Sequence, residues 1–160
     1  MLASFPERPR GFGKAVSASR ETDPTTFRQG TIVSASTIDT IKRVYEAFET
    51  RDFGVIGEVF DPDVEIRQSE LLPWGGQFKG HEGAVQFFTG LLGHIDPQLT
   101  VERLMDAGDR VVEVGRTVGS TVPGGVHFDV PELHIWQLRA GKVTSMEIYI
   151  DVPAMLKALG

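Results

Sequence analysis

The side chains best suited to chemistry in this sequence are a histidine and two charged residues, all in segments that alternate like strands. Glu132 and His134 stand two residues apart, so on a strand both side chains point to the same side. Histidine titrates near neutral pH without help, and a carboxylate beside it can orient it as a general acid or base. Arg116, on another predicted strand, can stabilise a developing enolate or bind a substrate carboxylate. Together these residue types predict proton abstraction beside a carbonyl group, followed by isomerisation, ring closure or dehydration.

Structural roles for the same residues stay open. Arg116 lies among Val112, Val114 and Val118, and an arginine on an apolar strand face is costly unless it is paired or faces a wet cavity. It can therefore form a salt bridge under the sheet as well as line a pocket. His134 can likewise be a core residue that is hydrogen-bonded to a neighbouring strand.

Further candidates for ligand contacts come from the segments around these residues. Gln68 and Glu70 share a face of the first predicted strand, and Glu70 is a second carboxylate that can orient the histidine. Trp74, in a loop rich in proline and glycine, can form an apolar wall at a cavity mouth or merely plug the core. Trp136 shares a strand face with Glu132 and His134, although the opposite face of that strand can also be the core face, and Ile148 alternates with Glu147 and Tyr149 on the last strand.

The composition excludes several other functions. The chain has 160 residues, no cysteine and a net charge of −6, with 22 acidic against 16 basic residues. Without cysteine there is no thiol nucleophile or thiolate metal site, and no two histidines have the spacing of a metal pair. We therefore expect neither a metal nor any other cofactor. The acidic balance argues against nucleic-acid binding. No apolar stretch approaches the roughly 20 residues that span a bilayer, so we expect a cytoplasmic protein without membrane contact.

A change in composition divides the chain near residue 36. Residues 1–36 hold prolines among many serine, threonine and glycine residues, and they show no apolar period. Such a segment cannot bury enough surface to offset its ordering entropy, so we predict a disordered N-terminal extension. Residues 37–160 are predicted to form one folded domain.

The elements that must position the candidate side chains follow from periodicity. Apolar residues at three- and four-residue steps predict helices from about residue 37, after residue 52 and over about 81–92, with a short terminal helix after residue 153. Alternation predicts five strands, of which the last four form an antiparallel meander: 63–70, 99–105, 110–122, 128–138 and 143–150. This order predicts an α+β fold, in which a curved antiparallel sheet wrapped on three helices leaves a conical hollow for an apolar small molecule.

Short motifs within these elements resemble a known family. Residues 60–65 read FDPDVE, 78–83 read FKGHEG, 134–143 read HIWQLRAGKV and 149–151 read YID. With the order of elements, they resemble the SnoaL-like group of the nuclear-transport-factor-two and ketosteroid-isomerase superfamily over residues 37–160. The resemblance implies a cone-shaped fold and one of several roles: polyketide cyclase, isomerase, dehydratase, epoxide hydrolase or non-catalytic binding protein.

The catalytic residues of two such relatives carry over only in part. Glu132 matches the protonated aspartate with which ketosteroid isomerases bind an oxyanion, but Gln68 stands where their general base lies and cannot abstract a proton. Arg116 matches the arginine of limonene epoxide hydrolases, while Val118 and Ile148 stand in place of their two aspartates. Neither mechanism therefore transfers intact.

The residues and the resemblance together predict a small-molecule pocket protein. We expect an isomerase-, cyclase- or dehydratase-type enzyme that uses general acid–base chemistry on an apolar carbonyl compound. Two alternatives stay open, a non-catalytic binding module for an apolar ligand and an epoxide hydrolase-like enzyme. Curved sheets of this superfamily pair back to back, so the resemblance also implies a homodimer, through an outer face that carries Tyr149.

Overall fold

The structure is a computed structural model that describes residues 35–160, with side chains described from residue 37. The extension predicted over residues 1–36 lies outside the described residues, except for its last two positions, which begin the first helix. The described chain forms four helices and six strands. They are, in order, α1 (Ala35–Thr50), α2 (Phe53–Val59), β1 (Phe60–Gln68), β2 (Gly76–Lys79), α3 (Gly80–His94), β3 (Ile95–Asp106), β4 (Arg110–Thr121), β5 (His127–Arg139), β6 (Lys142–Ile150) and α4 (Val152–Leu159).

The six strands form one curved, unclosed sheet in the spatial order β2-β1-β6-β5-β4-β3. Strands β3 to β6 are an antiparallel meander, as predicted, and β2 pairs antiparallel with β1. Strands β1 and β6 pair in parallel, and the long excursion of the chain between them supplies the crossover that parallel neighbours need. The predicted α+β class, with a curved sheet wrapped on helices, is confirmed.

An apolar core joins the helices to one face of the sheet. In α1, Ile41, Val44 and Phe48 recur at helical steps and are buried, as the periodicity predicts. In α3, Phe87 and Phe88 are buried and extend the same core. None of the described helices has both the length and the apolar content to cross a membrane.

Three segments differ from the prediction, and each difference has a local cause. Strand β1 ends at Gln68, so Glu70 lies in the turn that follows and is exposed. The loop predicted over residues 71–80 contains strand β2, whose four residues are too few for an alternating pattern to show. Strand β3 begins at Ile95 and includes Pro97, which is tolerated because β3 is an edge strand and needs no hydrogen bond on its outer side.

The inward face of β4 is one residue out of phase with the prediction. Its buried residues are Val111, Glu113, Gly115, Thr117 and Thr121. The sequence interpretation grouped Arg116 with the neighbouring valines as a candidate pocket face, but that set faces outward and is only half-buried. Because side chains alternate along a strand, a shift of one residue exchanges the two faces completely.

Candidate active site

A row of four buried residues crosses the sheet in register. Gln68 of β1 lies beside Ile148 of β6, Ile148 beside His134 of β5, and His134 beside Glu113 of β4. All four side chains are buried. Because neighbouring strands lie about 4.8 Å apart, the row is about 14 Å long, and an apolar isoleucine separates its polar ends.

A largely apolar cavity lies over this row, between the sheet and the helices. Its polar lining residues are Tyr45, Gln68, Thr117, Glu132 and His134. Three predicted contact residues, Trp74, Trp136 and Ile148, belong to its apolar lining. The cavity volume is about 50 Å³, which is room for a few water molecules. A ring-sized ligand therefore requires the side chains of the wall to move outward.

Glu113, His134 and Glu132 form a buried cluster on β4 and β5. Nε2 of His134 lies 3.4 Å from Oε2 of Glu132, and its Nδ1 lies 3.5 Å from Oε2 of Glu113. Glu113 is 0% exposed, His134 3% and Glu132 4%. Glu132 and His134 line the cavity, whereas Glu113 lies behind the histidine and does not.

Tyr45 joins this cluster from helix α1. The indole Nε1 of Trp136 donates a hydrogen bond of 3.0 Å to the Tyr45 hydroxyl, which in turn lies 2.7 Å from Nδ1 of His134. An indole N–H can only donate, so the tyrosine oxygen accepts from it, and we assign the hydroxyl proton to the bond with Nδ1. In this arrangement the proton of His134 is on Nε2, facing Glu132.

Three carboxyl oxygens of the cluster have no hydrogen-bond partner among the described residues. They are both oxygens of Glu113 and Oε1 of Glu132. The other oxygen of Glu132 accepts a hydrogen bond from the hydroxyl of Thr117. Because a buried, unpaired carboxylate is costly, these oxygens require a proton, water or a ligand group.

Burial controls the protonation of the cluster. It raises the pKa of Glu113 to about 8, with repulsion from Glu132 adding to the effect, and it raises the pKa of Glu132 to about 7. Burial also lowers the pKa of His134 to about 3, because the carboxyl groups beside it are largely un-ionised and do not oppose desolvation. At neutral pH the imidazole is therefore neutral, and the two carboxyl groups keep at least one proton between them.

The same three residues have the spacing of a small metal site, since each offers a ligand atom within 4.8 Å of the others. Each ring nitrogen of His134 already faces a different partner, however, Tyr45 on one side and Glu132 on the other. The expectation of no metal remains a prediction, because histidine spacing cannot detect a group built from one histidine and two glutamates on adjacent strands.

A second polar pair lies at the other end of the row. Nε1 of Trp74 donates a hydrogen bond of 2.9 Å to Oε1 of Gln68, and both side chains are buried. This bond fixes the orientation of the amide and leaves its NH₂ group as the donor. Trp74 also packs against His94, with ring centroids 5.7 Å apart. The loop tryptophan therefore holds Gln68 in place within the cavity wall.

Two predicted site residues do not reach the cavity. Arg116 is on the outer face of β4, where its Nε donates to Asp129 at 2.6 Å, and its side chain is 38% exposed. The predicted pocket role of Arg116 is wrong, because the opposite face of β4 points inward. The match to epoxide hydrolases therefore loses its arginine. Glu70 cannot orient His134, because it is exposed beyond the end of β1.

Sequence reasoning misses three residues of this site. It leaves Glu113, Thr117 and Tyr45 out of the candidate residues. The signal that identifies Glu113 is the pairing of strands: once His134 points inward, the residue directly opposite it on β4 must do so too. No pattern within β4 alone carries that information.

The curved, unclosed sheet packed against helices is the fold of the NTF2-like class. The chain is similar to an NTF2-like protein of unknown function from Burkholderia pseudomallei, with 24% identity, 79% of this chain and 98% of that chain covered, and a TM-score of 0.74. The structure of TerC, co-crystallised with polyporic acid, has 29% identity over 78% of this chain and 98% of that chain, with a TM-score of 0.73. A protein from a Jannaschia species, described as a SnoaL-like polyketide cyclase, has 22% identity, coverages of 79% and 93%, and a TM-score of 0.71.

A family model also identifies the family of this chain within the NTF2-like class. The family model of the SnoaL-like domain matches residues 41–146. The chain therefore belongs to the SnoaL-like domain family, as the motifs indicate. No curated protein matches the sequence significantly.

Proposed function

We propose that this protein is a cofactor-independent acid–base enzyme of isomerase, cyclase or dehydratase type that acts on an apolar carbonyl compound. The observation that carries the proposal is the carboxyl group of Glu132, which lines a largely apolar cavity and has one oxygen without a partner among the described residues. Burial raises the pKa of this group to about 7. A general acid or base is most effective when its pKa lies near the working pH.

The geometry favours Glu132, and not His134, as the group that meets the ligand. Both ring nitrogens of His134 face neighbours, Tyr45 and Glu132, so the imidazole has no lone pair left for a substrate proton. Its role in the proposal is to hold Glu132 in place together with Thr117. This reverses the roles that the sequence predicts for the carboxylate and the histidine.

Gln68 provides the complementary group for a carbonyl oxygen. Gln68 lies across Ile148 from the histidine in the sheet register, and the bond from Trp74 to its Oε1 leaves the NH₂ group as the donor. In the proposed step, ionised Glu132 takes a proton from the carbon next to the carbonyl, and the electron pair moves onto the oxygen, which accepts a hydrogen bond from Gln68. Glu132 then returns that proton to another carbon in an isomerisation, or to a leaving hydroxyl in a dehydration.

The relatives supply a ligand for the first test. TerC was crystallised with polyporic acid and is 29% identical to this chain over 78% of this chain and 98% of TerC, which supports a similar pocket here. Binding of polyporic acid can be followed by tryptophan fluorescence, because both tryptophans of the chain line the cavity. We expect polyporic acid to quench the tryptophan fluorescence until the ligand and the protein are present in stoichiometric amounts.

Turnover is tested with a simple carbonyl probe. The enzyme-dependent exchange of the hydrogens beside the carbonyl of 2-tetralone is measured by proton NMR in D₂O, for wild type and Glu132→Gln. The variant should lose about 10²- to 10⁴-fold in exchange rate, while its affinity for the probe stays within about tenfold. Arg116→Ala, on the outer face of the sheet, is the control that should keep the wild-type exchange rate and the wild-type affinity for the probe.

The outcome separates the two classes of function. Exchange that survives in Glu132→Gln contradicts the assignment of the base. Binding of both compounds without exchange by wild-type protein supports the non-catalytic binding module instead.

We also infer that the chain forms a homodimer through the outer face of the sheet. Val112 pairs with Ile135 and Val114 with Leu133 across β4 and β5, and all four are half-buried on that face. Tyr149 of β6 is 53% exposed nearby. Light scattering at micromolar concentration should give twice the chain mass of 17.6 kDa, and Ile135→Lys should give the single mass. A wild-type monomer contradicts the inference.

A further inference from the structure

Glu113 is the buried ionisable group of the described residues that the proposed reaction leaves without a role. Its side chain is 0% exposed, and it does not line the cavity. It lies directly opposite His134 in the β4–β5 register, with Oε2 3.5 Å from Nδ1 of the histidine. Neither of its oxygens has a hydrogen-bond partner among the described residues. A carboxyl group that is buried in this way requires a structural or functional explanation.

The backbone of β4 makes room for this carboxyl group. Gly115 is the next inward-facing residue, and a Cβ at that position would lie 2.4 Å from Oε1 of Glu113 and 2.2 Å from the carbonyl oxygen of Thr100. Distances this short are not found between real Cβ atoms and their neighbours, so any larger residue would displace Glu113 or the adjacent strand. The glycine therefore preserves the position of Glu113 behind the histidine.

The groups that face Glu113 are acids and neutral partners. They are His134 and Glu132 from β5, the Tyr45 hydroxyl from α1, and the more distant Glu102 of β3. The described ion pairs join Glu113 to the histidine and to no lysine or arginine. An ionised Glu113 in this place would have to draw a proton onto the imidazole, which would then be held as a cation between two carboxylates.

We propose that Glu113 is a positioning residue that stays protonated while Glu132 carries the negative charge of the cluster. This rests on the proposed function, because it assigns the reactive charge to the carboxyl group that meets the ligand. A neutral Glu113 leaves Nδ1 of His134 to accept from Tyr45 and keeps the histidine proton on Nε2, directed at Glu132. An ionised Glu113 would instead favour an imidazolium, which would bind Glu132 in an ion pair and weaken it as a base.

The proposal is tested on the full chain by NMR of histidine labelled with ¹⁵N in the imidazole ring. At about pH 6, His134 should show the neutral form with its proton on Nε2, in wild type and in Glu113→Gln alike, because the amide resembles the protonated acid. As the pH rises to about 9, the wild-type signals should move in two steps, one for each carboxyl group. Glu113→Gln should keep the step at lower pH, which belongs to Glu132, and lose the step at higher pH, which belongs to Glu113.

Controls distinguish this role from a purely structural one. Glu102→Gln removes an exposed acid on the neighbouring strand and should leave both steps of His134 in place. Dialysis against EDTA should not change the wild-type spectrum. If it does, a cation and not a proton lies between the carboxyl groups, and the proposal fails.

Two other results overturn the proposal. One is an imidazolium at His134 in wild-type protein at about pH 6, and the other is a second titration step that persists in Glu113→Gln. The wild-type titration decides the question even if the variant does not fold. It also requires no turnover, so a failure here is distinct from an absence of exchange with 2-tetralone.

Discussion

Replacing Glu113 with glutamine should make the protein more stable at alkaline pH and flatten the dependence of its stability on pH. Burial and the neighbouring Glu132 raise the pKa of this carboxyl group from 4.5 in the unfolded chain to about 8 in the folded protein. Between these two values the folded state binds more protons than the unfolded state. The free energy of unfolding of the wild-type protein therefore falls as the pH rises from 4.5 to about 8.

The magnitude follows from the difference between the two pKa values. At about 1.36 kcal/mol for each pH unit between 4.5 and about 8, the ionisation of Glu113 removes about 5 kcal/mol of unfolding free energy. Glu132, raised to about 7 in the same way, removes about 3 kcal/mol. His134 opposes this trend by about 2 kcal/mol between about pH 5 and 6.5, because its pKa is lowered from 6.5 to about 3 and the folded state binds fewer protons there. The losses from the two carboxyl groups are larger than this gain, and a typical domain has about 5–15 kcal/mol in total, so the wild-type protein should be weaker at about pH 9 than at about pH 5.

Urea unfolding followed by tryptophan fluorescence at about pH 5, 7 and 9 measures this dependence. At about pH 5 the glutamine variant should lie within about 1 kcal/mol of wild type, because the acid it replaces is un-ionised there. At about pH 9 it should be more stable by several kcal/mol, with the smaller loss from Glu132 remaining. Glu102→Gln, which removes an exposed acid nearby, should follow the wild-type curve.

Two results would refute this reasoning. Parallel curves for wild type and Glu113→Gln would mean that the buried carboxyl group titrates as it does in the unfolded chain. A wild-type stability that rises between about pH 5 and 8 would mean that the folded state binds fewer protons than the unfolded chain in this range, which contradicts a raised pKa for Glu113.

Three further substitutions test the parts that support the site. Gly115→Ala should lower the unfolding free energy by about 1–3 kcal/mol or more in urea, because its Cβ would meet the Thr100 carbonyl oxygen at 2.2 Å. An unchanged midpoint would contradict the close approach of β3 and β4. Trp74→Phe should cost about 1–3 kcal/mol in the same assay, since Oε1 of Gln68 loses its donor; a stabilised variant would contradict the bond. Arg116→Ala should change thermal stability by no more than about 1 kcal/mol, because its ion pair with Asp129 is partly exposed. A larger loss would point to a role in the core.

Most of the fold can be predicted because it follows from local periodicity. Helix α1 buries Ile41, Val44 and Phe48 at steps of three and four residues, and the turns between the last four strands are rich in glycine. Strand β2 escapes prediction because it has only four residues and depends on pairing with β1. The strand character of Pro97 also depends on its position at the sheet edge, which no local pattern reveals.

The site is predicted only in part, because its composition depends on which face of each strand points inward. On β5 the alternation places Glu132, His134 and Trp136 together, and burial agrees with that grouping. On β4 valines occupy the outer face, so hydrophobicity favours the wrong side and promotes Arg116 over Glu113. The ambiguity arises because both faces of this strand are partly apolar. Only the register with β5 resolves it, and register is a property of two segments far apart in the chain.

The energetic cost of the cluster is itself an argument for function. Burial raises the pKa of both Glu113 and Glu132, so their ionisation lowers the stability of the folded protein, and apolar side chains of similar volume would avoid that loss. The surrounding structure nevertheless holds both acids in place, with Gly115 leaving space for one and Thr117 donating to the other. Glu132 itself lines the cavity, and its Oε1 has no hydrogen-bond partner among the described residues. A purely structural polar network would satisfy these oxygens, whereas a site for proton exchange needs one of them free for a ligand.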